Sequence, residues 1–271
     1  MTPADFEYFV KFLRERSGIS LEASKQYLID TRMAPILKEM KLADLAALVA
    51  GLKAGKKDLI GRVVEAMTTN ETSFFRDVAP FDAFQQHILP TLIERHERDR
   101  KIQIWSAASS SGQEPYSLAI LIREHFPQLA GWNVGILATD LSAEMVAKTE
   151  KGEYSQLEVN RGMPAPLIAK HFTKKGMRWQ VNDDVRKLVR CRTLNLLESF
   201  AGIPSADVVF IRNVLIYFEP ETKKEILGKI RKVLVPGGYL FLGGAESTLN
   251  LDSHYKRLDL ARSGCFQLEG D

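Results

Sequence analysis

The sequence predicts an α/β protein in which a helical N-terminal domain precedes a mostly parallel sheet that is covered by helices. Three observations predict this fold class. Up to about residue 67, apolar residues recur at helical spacing and no strand pattern alternates with them. Later, four β-rich runs lie among helical stretches, and such alternation is typical of parallel sheets covered on both faces. Finally, 45% hydrophobic residues in 271 indicate a substantial core.

The first predicted element is an amphipathic helix. Its apolar face is formed by residues at i, i+3, i+4 and i+7, namely Phe6, Phe9, Val10 and Leu13, and SGIS at 17–20 is expected to end it. Three more short helices are predicted in ASKQYLIDTRM, ADLAALVAGLKAG and KKDLIGRVVEAM, with Pro35 expected to bend or break the first of these. We therefore expect a helical domain over residues 1–67 and a second domain over residues 68–271.

The strands of the second domain are predicted in four runs bounded by turn residues. These are IQIWSAA (102–108), WNVGILATD (132–140), ADVVFIRN (206–213) and GGYLFLGG (237–244). An apolar stripe predicts a helix over 221–234, which VPGGY should end. Between them, about residues 157–193 are predicted to form a small inserted β-subdomain, in which RWQV and VRKLVRC pair as a hairpin around NDD.

Composition argues against several classes of function. The net charge of +3 is too small for a typical nucleic-acid binder. The chain has neither a long apolar run nor a signal-peptide pattern, so a cytoplasmic protein that does not insert into a membrane is expected. Cys191 and Cys265 have no paired spacing and are expected to be reduced thiols. A monomer is expected because no apolar stripe is left over once the core is assigned.

Positive charge is concentrated in two segments. Residues 25–62 contain 8 basic and 4 acidic side chains, and residues 167–192 contain 8 basic and 2 acidic ones. Each segment is either a solvated surface or a docking surface for an acidic partner, and the pattern alone does not decide between them.

A candidate ligand loop follows the first strand, in SAASSSGQEPYSLAI. Small residues allow a ligand to approach the backbone closely, and the start of the next helix presents free amides. Only Gly112 is a glycine, so the loop lacks the GxGxxG dinucleotide fingerprint and a nicotinamide oxidoreductase is disfavoured. Glu114 would either bind a cationic or hydroxyl-bearing part of the ligand or favour the helix dipole as a first-turn acid.

Polar residues also follow two other strands. Asp140 ends the second strand, where α/β nucleotide-binding sheets place an acid that accepts hydrogen bonds from ribose, while Ser142 is available to cap the next helix. Arg212 and Asn213 end the third strand, and Tyr217 follows as either a site residue or a core aromatic. HExxH, P-loop, metal-ligand and Ser-His-Asp patterns are absent from the sequence, so metalloenzyme and hydrolase functions lose ground and no metal is expected.

Five motifs occur in an order that identifies a resemblance. TTNETSFFRD, WSAASSSGQEPYSLA, ATDLS, RNVLIYF and LVPGGYLFLGGAES make the sequence similar, over nearly its whole length, to the chemotaxis receptor glutamate methyltransferases of the CheR type. The resemblance implies a class I S-adenosylmethionine-dependent methyltransferase fold, Rossmann-like with a seven-stranded sheet, behind an α-helical N-terminal domain and carrying a small inserted β-subdomain.

The resemblance also implies roles for individual residues. S-adenosylmethionine, with S-adenosylhomocysteine as its product, would be bound by Asn70, Thr72, Arg76, Glu114, Asp140, Asn195, Leu196, Arg212 and Asn213. Arg76 and Tyr217 would lie near the transferred methyl group and act in catalysis, while Phe74 and Phe75 anchor the turn. Serines at 109–111 replace the Gly or Thr common in the family, a mild departure in this loop.

The implied reaction suits these residues. A glutamate side chain, with an ordinary pKa of about 4.3, is already a carboxylate at neutral pH and needs no general base to attack a sulfonium methyl group. Positioning is then the main task, and the arginine fork of Arg76 is suited to orient a carboxylate through two hydrogen bonds.

The implied partner is the helical methylation region in the cytoplasmic part of chemoreceptors. By the resemblance, Lys25, Arg32 and Lys38 on the second helix would recognise its acidic face. Some family members also bind a pentapeptide at the receptor C-terminus, but the compact predicted hairpin favours recognition without tight pentapeptide binding. Two alternatives stay open, namely a catalytically silent receptor-associated module that binds the cofactor and another protein carboxyl methyltransferase.

Overall fold

The first 67 residues form four helices around their own core. The computed structural model describes residues 1–270, apart from the side chain of Ala23. The helices are α1 (Pro3–Ser17), α2 (Gln26–Glu39), α3 (Leu45–Lys53) and α4 (Lys57–Met67), with a 3₁₀ turn at Ala23–Lys25. N-cap side chains mark the beginning of α1 and α3. Thr2 accepts a hydrogen bond from the amide of Asp5, and Asp44 accepts one from the amide of Ala47.

The end of α1 confirms the predicted stop. Gly18 adopts a left-handed conformation (φ 76°) and its amide closes the helix on the carbonyl oxygen of Arg14. A Cβ atom at this position would lie 2.7 Å from the ring of Phe218, so the absent side chain also lets α1 pack closely against the second domain. Of the two effects expected of Pro35, a bend or a break, the break is wrong, because α2 runs through Pro35. Burial of Met33 and Ile36 in the helical core outweighs the hydrogen bond that proline cannot donate, and α2 continues to Glu39.

A helical segment precedes the first strand of the second domain. It consists of α5 (Ala79–Ala83), a π-helical turn (Phe84–Ile88) and α6 (Leu89–Arg95). Phe81 and Phe84 are buried and pack against Phe210 of the main sheet, with ring centroids 6.3 and 5.8 Å away. The segment therefore covers one face of that sheet.

Seven strands form the main sheet of the described residues. They are β1 (Lys101–Ala107), β2 (Asn133–Asp140), β6 (Val189–Thr193), β7 (Ala206–Ile211), β8 (Leu234–Leu242), β9 (Tyr255–Arg257) and β10 (Cys265–Leu268). The order is β6-β2-β1-β7-β8-β10-β9. The first five strands in this order are parallel, whereas β10 is antiparallel to both of its neighbours. All four strands predicted from the sequence are confirmed.

Helices connect the parallel strands. They are α7 (Gln113–His125), a 3₁₀ turn at Pro127–Leu129, α8 (Ala143–Lys151), a 3₁₀ turn at Leu215–Tyr217, and α12 (Pro220–Val233), which confirms the predicted helix. The chain adds β2 and then β6 on one side of β1, and it adds β7 and then β8 on the other side. The strand order therefore reverses next to β1. In such sheets, ligands bind at the carboxyl ends of the strands beside this reversal.

The inserted segment lies between α8 and β6. It contains β3 (Glu153–Ser155), α9 (Gln156–Asn160), α10 (Ala165–His171), β4 (Phe172–Lys175), β5 (Arg178–Val181) and α11 (Asp183–Arg186). Its three strands form an antiparallel sheet in the order β3-β5-β4.

The predicted hairpin between RWQV and VRKLVRC is wrong. RWQV is β5, but it pairs with β4 across a turn in which Gly176 has a φ of 61°. NDD instead begins α11, where two acids favour a helix N-terminus. Val189–Thr193 is β6 and pairs in parallel with β2, so these residues of the predicted insertion, about 157–193, belong to the main sheet.

None of the helices within residues 1–270 has the length and apolar character needed to cross a membrane. Among the same residues, no group of three or more His, Cys, Asp and Glu side chains is placed to hold a metal ion.

Candidate functional site

One cleft collects the predicted site residues. It lies at the carboxyl ends of β1, β2 and β7, beneath the segment that joins the two domains, and has an empty volume of about 920 Å³. The residues predicted for cofactor binding and catalysis all line it: Asn70, Thr72, Arg76, Glu114, Asp140, Asn195, Leu196, Arg212, Asn213 and Tyr217. Their convergence from five chain segments at the strand-order reversal makes this cleft the candidate ligand site.

The loop after β1 is held tightly on one wall of the cleft. The amide of Ser109 donates to the carbonyl oxygen of Thr139 (2.9 Å), and the hydroxyl of Ser110 donates to the carbonyl oxygen of Asn70 (2.8 Å). Gly112 has a φ of 94°, and a Cβ atom there would lie 2.7 Å from Thr149. The single glycine of the loop therefore stands where the backbone turns left-handed against α8.

Asp140 is a buried carboxylate at the end of β2. Its oxygens accept hydrogen bonds from the amides of Ser110 (2.7 Å) and Ser142 (2.9 Å). Burial raises its pKa above the ordinary value, although these amide bonds act in the opposite direction, and the nearby charge of Glu65 raises it further. Ser142 caps α8 by accepting a hydrogen bond from the amide of Met145 (3.1 Å), which is the role predicted for it from the sequence.

Glu65 reaches this wall from the helical domain. Its Oε1 atom accepts hydrogen bonds from the hydroxyl of Ser142 (2.5 Å) and the amide of Glu144 (3.0 Å). The last helix of the N-terminal domain therefore supplies a second cap for α8, adjacent to Asp140.

A buried ion pair forms the floor of the cleft. The Nη1 atom of Arg212 donates to Glu114 (3.0 Å), whose other oxygen accepts from the hydroxyl of Ser106 (2.8 Å). The Nη2 atom of Arg212 donates to the backbone oxygen of Arg76 (2.9 Å) and to Asp77 (2.7 Å). Its Nε atom is buried without a hydrogen-bond partner among residues 1–270.

The TTNETSFFRD segment crosses the top of the cleft and is anchored by its aromatic residues. Phe74 is fully buried, with its ring edge-on to those of Tyr154 (5.1 Å) and Phe172 (5.7 Å). Gly162 permits this approach, since a Cβ atom there would lie 2.0 Å from the backbone oxygen of Phe74. The half-buried Arg76 donates from Nη1 to the carbonyl oxygen of Glu71 (2.9 Å) and lines the cleft.

The opposite wall is shared with the end of α1. The Asn195 side chain donates from Nδ2 to the carbonyl oxygen of Arg16 (2.8 Å), and its Oδ1 accepts from the amide of Leu197 (3.0 Å). The amide of Ser20 donates to the carbonyl oxygen of Tyr217 (3.0 Å). Tyr217 is half-buried and lines the cleft, and is not a buried core aromatic.

The three residues predicted for receptor recognition lie outside the cleft lining. Lys25 and Lys38 are exposed, at the 3₁₀ turn before α2 and near the end of α2. Arg32 faces inward, and its guanidinium donates to the carbonyl oxygens of Met67 (2.6 Å) and Thr68 (3.0 Å) and to the hydroxyl of Thr69 (3.0 Å). Arg32 therefore braces the segment that carries Asn70 and Thr72.

Sequence reasoning missed several contributors to the site. Ser17 and Ile19 line the cleft from the first domain, and Glu65 caps α8 across the domain boundary. The sequence contained no signal for contacts between domains. Glu246 lies in the quoted segment LVPGGYLFLGGAES but was given no role, although four backbone amides donate to its carboxylate. The only feature of the sequence that marks Glu246 is its place as a single acid after a predicted strand and two glycines.

Comparison with known proteins covers both domains. Residues 4–68 match the family described as "CheR methyltransferase, all-alpha domain", and residues 70–263 match "CheR methyltransferase, SAM binding domain". The chain is 45% identical over 258 residues to "Chemotaxis protein methyltransferase 1" of Pseudomonas aeruginosa, covering 93% of each protein. It is 40% identical over 269 residues to "Chemotaxis protein methyltransferase Cher2" of Pseudomonas putida, covering 97% of each. It is also 42% identical over 262 residues to "Chemotaxis protein methyltransferase" of Vibrio parahaemolyticus, covering 94% of each.

Proposed function

The chain belongs to the CheR methyltransferase family, and from this premise we propose that it transfers a methyl group from S-adenosylmethionine to glutamate side chains of chemoreceptors. The products are glutamate methyl esters and S-adenosylhomocysteine, and the reaction serves sensory adaptation in chemotaxis. The observation that carries the proposal is the single cleft in which the buried Asp140, the Glu114–Arg212 pair and the half-buried Arg76 and Tyr217 converge.

The donor set of the cleft fits S-adenosylmethionine. Asp140 is placed to accept hydrogen bonds from the ribose hydroxyls, as acids at this strand position do. The amino acid end of the cofactor carries an ammonium group, which matches the acceptor oxygens of Glu114, and both Glu114 and Arg212 line the cleft. Asn70, Thr72, Asn195, Leu196 and Asn213 complete the walls. When bound, the cofactor supplies a methyl group on a sulfonium centre.

Arg76 orients the acceptor carboxylate in this proposal. The acceptor glutamate is ionised at neutral pH, so the protein has to hold the carboxylate in line without removing a proton. Arg76 lies at the rim, and one of its terminal nitrogens already donates to the carbonyl oxygen of Glu71. This contact holds the guanidinium in place and leaves further donors to direct one carboxylate oxygen. Tyr217, across the cleft, shapes the opening through which the side chain enters.

Recognition of the receptor is assigned to the basic surface around α2. Lys25 and Lys38 are exposed and suit the acidic face of a receptor helix. Arg32 acts from beneath this surface, because its guanidinium is bonded to the segment after α4, and it links the surface to Asn70 and Thr72. In this division of roles, residues 1–67 recognise the receptor and residues 68–271 carry out the transfer, at the cytoplasmic part of the receptor.

We further propose that the enzyme acts as a monomer and without tight binding of a receptor C-terminal pentapeptide. The proposal on pentapeptide binding is supported by the inserted sheet. Only Gly176 and Met177 separate β4 from β5, and no long loop extends from this turn. Micromolar binding of such a pentapeptide in isothermal titration would contradict this proposal.

The deciding experiment combines binding with transfer. Purified protein is titrated with S-adenosylmethionine and S-adenosylhomocysteine, and then incubated with labelled cofactor and a receptor cytoplasmic fragment. We expect the wild type to bind both ligands saturably and Asp140→Ala to lose this binding. Asp259 is an exposed acid outside the cleft, so Asp259→Ala should retain binding. Base-labile label on receptor glutamates is expected only with an intact cleft. Binding without transfer would favour the catalytically silent module, and transfer to carboxylates of other proteins alone would favour another carboxyl methyltransferase.

A further inference from the structure

Glu246 lies outside the residues assigned so far, but its carboxylate organises the loop after β7. Oε1 accepts hydrogen bonds from the amides of Val214 (2.9 Å) and Leu215 (2.7 Å). Oε2 accepts from the amides of Asn213 (2.8 Å) and Gly243 (2.6 Å). One side chain therefore satisfies three consecutive amides of the loop and joins them to the end of β8.

The loop needs this support because its backbone is unusual. Asn213 has a φ of 59°, a left-handed conformation that side-chain-bearing residues seldom adopt. The amides of Val214 and Leu215 lie at the start of the 3₁₀ turn Leu215–Tyr217, whose N-cap residue Val214 has no side chain that could accept them. The carboxylate of Glu246 therefore acts as a cap supplied from another strand connection.

Gly243 lies close to both the carboxylate and the loop. A Cβ atom at Gly243 would lie 2.7 Å from Glu246 Oε2 and 2.8 Å from the amide nitrogen of Asn213. The glycine before this turn is thus required for the carboxylate to reach the loop.

We propose that Glu246 is a positioning residue for methyl transfer, fixing Asn213 and Tyr217 at the cleft through the backbone amides of residues 213–215. This inference rests on the proposed function for its kinetic consequence, and on the four hydrogen bonds for its geometry. Only a group with two acceptor oxygens matches four donors in this arrangement.

Two substitutions test the carboxylate itself. In Glu246→Gln one oxygen becomes an NH₂ donor that faces backbone N–H donors, whereas Glu246→Asp keeps both oxygens on a shorter stem. We expect Glu246→Gln to lower kcat for receptor methylation on the order of 10- to 100-fold, the loss expected for hydrogen bonds to a charged group. We expect Glu246→Asp to retain more activity than Glu246→Gln. The exposed Glu221→Gln, on α12, is the matched control and should behave as the wild type.

A third variant separates positioning from general stability. Glu246→Ala removes the carboxylate and leaves its four amide donors, so added formate is expected to restore part of both kcat and S-adenosylhomocysteine affinity, while chloride at equal ionic strength does not. Wild-type kcat in Glu246→Gln would overturn the inference. So would losses in Glu246→Ala that formate leaves unchanged and that follow a fall in Tm. Inactivity of the wild type toward receptors would instead contradict the proposed function, and formate-dependent S-adenosylhomocysteine binding would still report the positioning.

Discussion

Asp140 is a buried acid, and its proposed role as a hydrogen-bond acceptor for the cofactor ribose depends on its negative charge. Its pKa is raised chiefly by burial, so it takes up a proton at a higher pH than an ordinary aspartic acid as the solution is acidified. The protonated form loses acceptor capacity toward the ribose hydroxyls. We therefore expect S-adenosylhomocysteine affinity to weaken as the pH falls toward this raised pKa, and we expect the pH dependence to disappear in Asp140→Asn. Calorimetric titration across the acidic range measures both.

The raised pKa of Asp140 affects folding stability in the opposite direction, since it favours the folded chain at low pH. The folded chain holds the proton of Asp140 more tightly than the unfolded chain, so the contribution of Asp140 to stability is present at low pH and falls as the pH rises through the raised pKa. Thermal unfolding of wild type and Asp140→Asn without ligand gives an independent check. A binding profile that stays pH-dependent in Asp140→Asn would assign the titration to another group.

Substitution of Arg76 tests whether positioning of the acceptor carboxylate is the main contribution of the protein to the reaction. Arg76→Ala removes the guanidinium that is proposed to orient the acceptor carboxylate, but leaves Asp140, Glu114 and Arg212 in place. We expect kcat to fall on the order of 100-fold, as misplacement of a reacting group does, with a much smaller loss of S-adenosylhomocysteine affinity. Arg178→Ala, an exposed arginine on β5, is the control. Equal losses of kcat and affinity would show that Arg76 serves the cofactor alone.

Single residues were predictable where the chain itself marks them. Asp140 and Arg212 end buried strands, so their arrival at one edge of the sheet follows from the parallel arrangement. Asn195 and Leu196 follow a short edge strand that the sequence placed in a hairpin, and only the family resemblance indicated them. Glu246 was missed because its partners are backbone amides, which have no sequence signature, and Glu65 because its partners Ser142 and Glu144 lie far away in the chain.

At the level of secondary-structure elements, α8 is capped twice, from within and from the other domain. Both hydrogen bonds from α8 to Glu65 end on the same oxygen, Oε1. Glu65→Ala removes that acceptor, and we expect a loss of about 1 kcal/mol, or about fivefold in S-adenosylhomocysteine affinity, because the capped turn adjoins Asp140. Calorimetric titration of the variant measures this loss.

Glu65→Gln is the matched control for this prediction. The amide keeps one carbonyl oxygen in place of Oε1, so affinity at neutral pH should stay close to that of the wild type. Because the charge of Glu65 raises the pKa of Asp140, its removal should shift the acidic loss of binding to lower pH. Identical affinities in Glu65→Ala and wild type would show that the cap does not influence the cofactor site.

Elements with a strong apolar period were predicted well, and those without one were not. The helix at Pro220–Val233 and the central strands have continuous apolar stripes or runs. In contrast, β6 has an exposed and alternating pattern, and it follows NDD at a distance that also suits a hairpin. Its parallel pairing with β2 depends on contacts far apart in the chain, which local propensity does not encode.

At the scale of the whole molecule, the proposed contact with the receptor is the basic surface near α2, where Lys25 and Lys38 are exposed. We expect Lys25→Glu combined with Lys38→Glu to lower kcat/KM for receptor methylation several-fold, through repulsion of an acidic helix, with a smaller effect at high salt because exposed charges are screened. S-adenosylhomocysteine affinity should be unchanged, since neither lysine lines the cleft. Initial rates over a range of salt concentrations measure the effect.

Lys101→Glu provides the control, because Lys101 is exposed at the start of β1, at the opposite end of that strand from the cleft. If the control slows methylation as much as the double variant, net charge and not this surface governs the encounter. A double variant with wild-type rates at low salt would remove Lys25 and Lys38 from recognition.

The interface between the two domains limits how residues 1–67 can be exchanged to direct the enzyme to a new receptor. Gly18 lies against Phe218, Asn195 bonds to Arg16, and Ser20 bonds to Tyr217. If the helices of residues 1–67, proposed to recognise the receptor, are exchanged between relatives as a unit, they bring with them Ser17 and Ile19, which line the cleft. A functional chimera has to exchange the matching segments around residues 195 and 217 along with residues 1–67, so receptor choice and methyl transfer are expected to co-evolve across this interface.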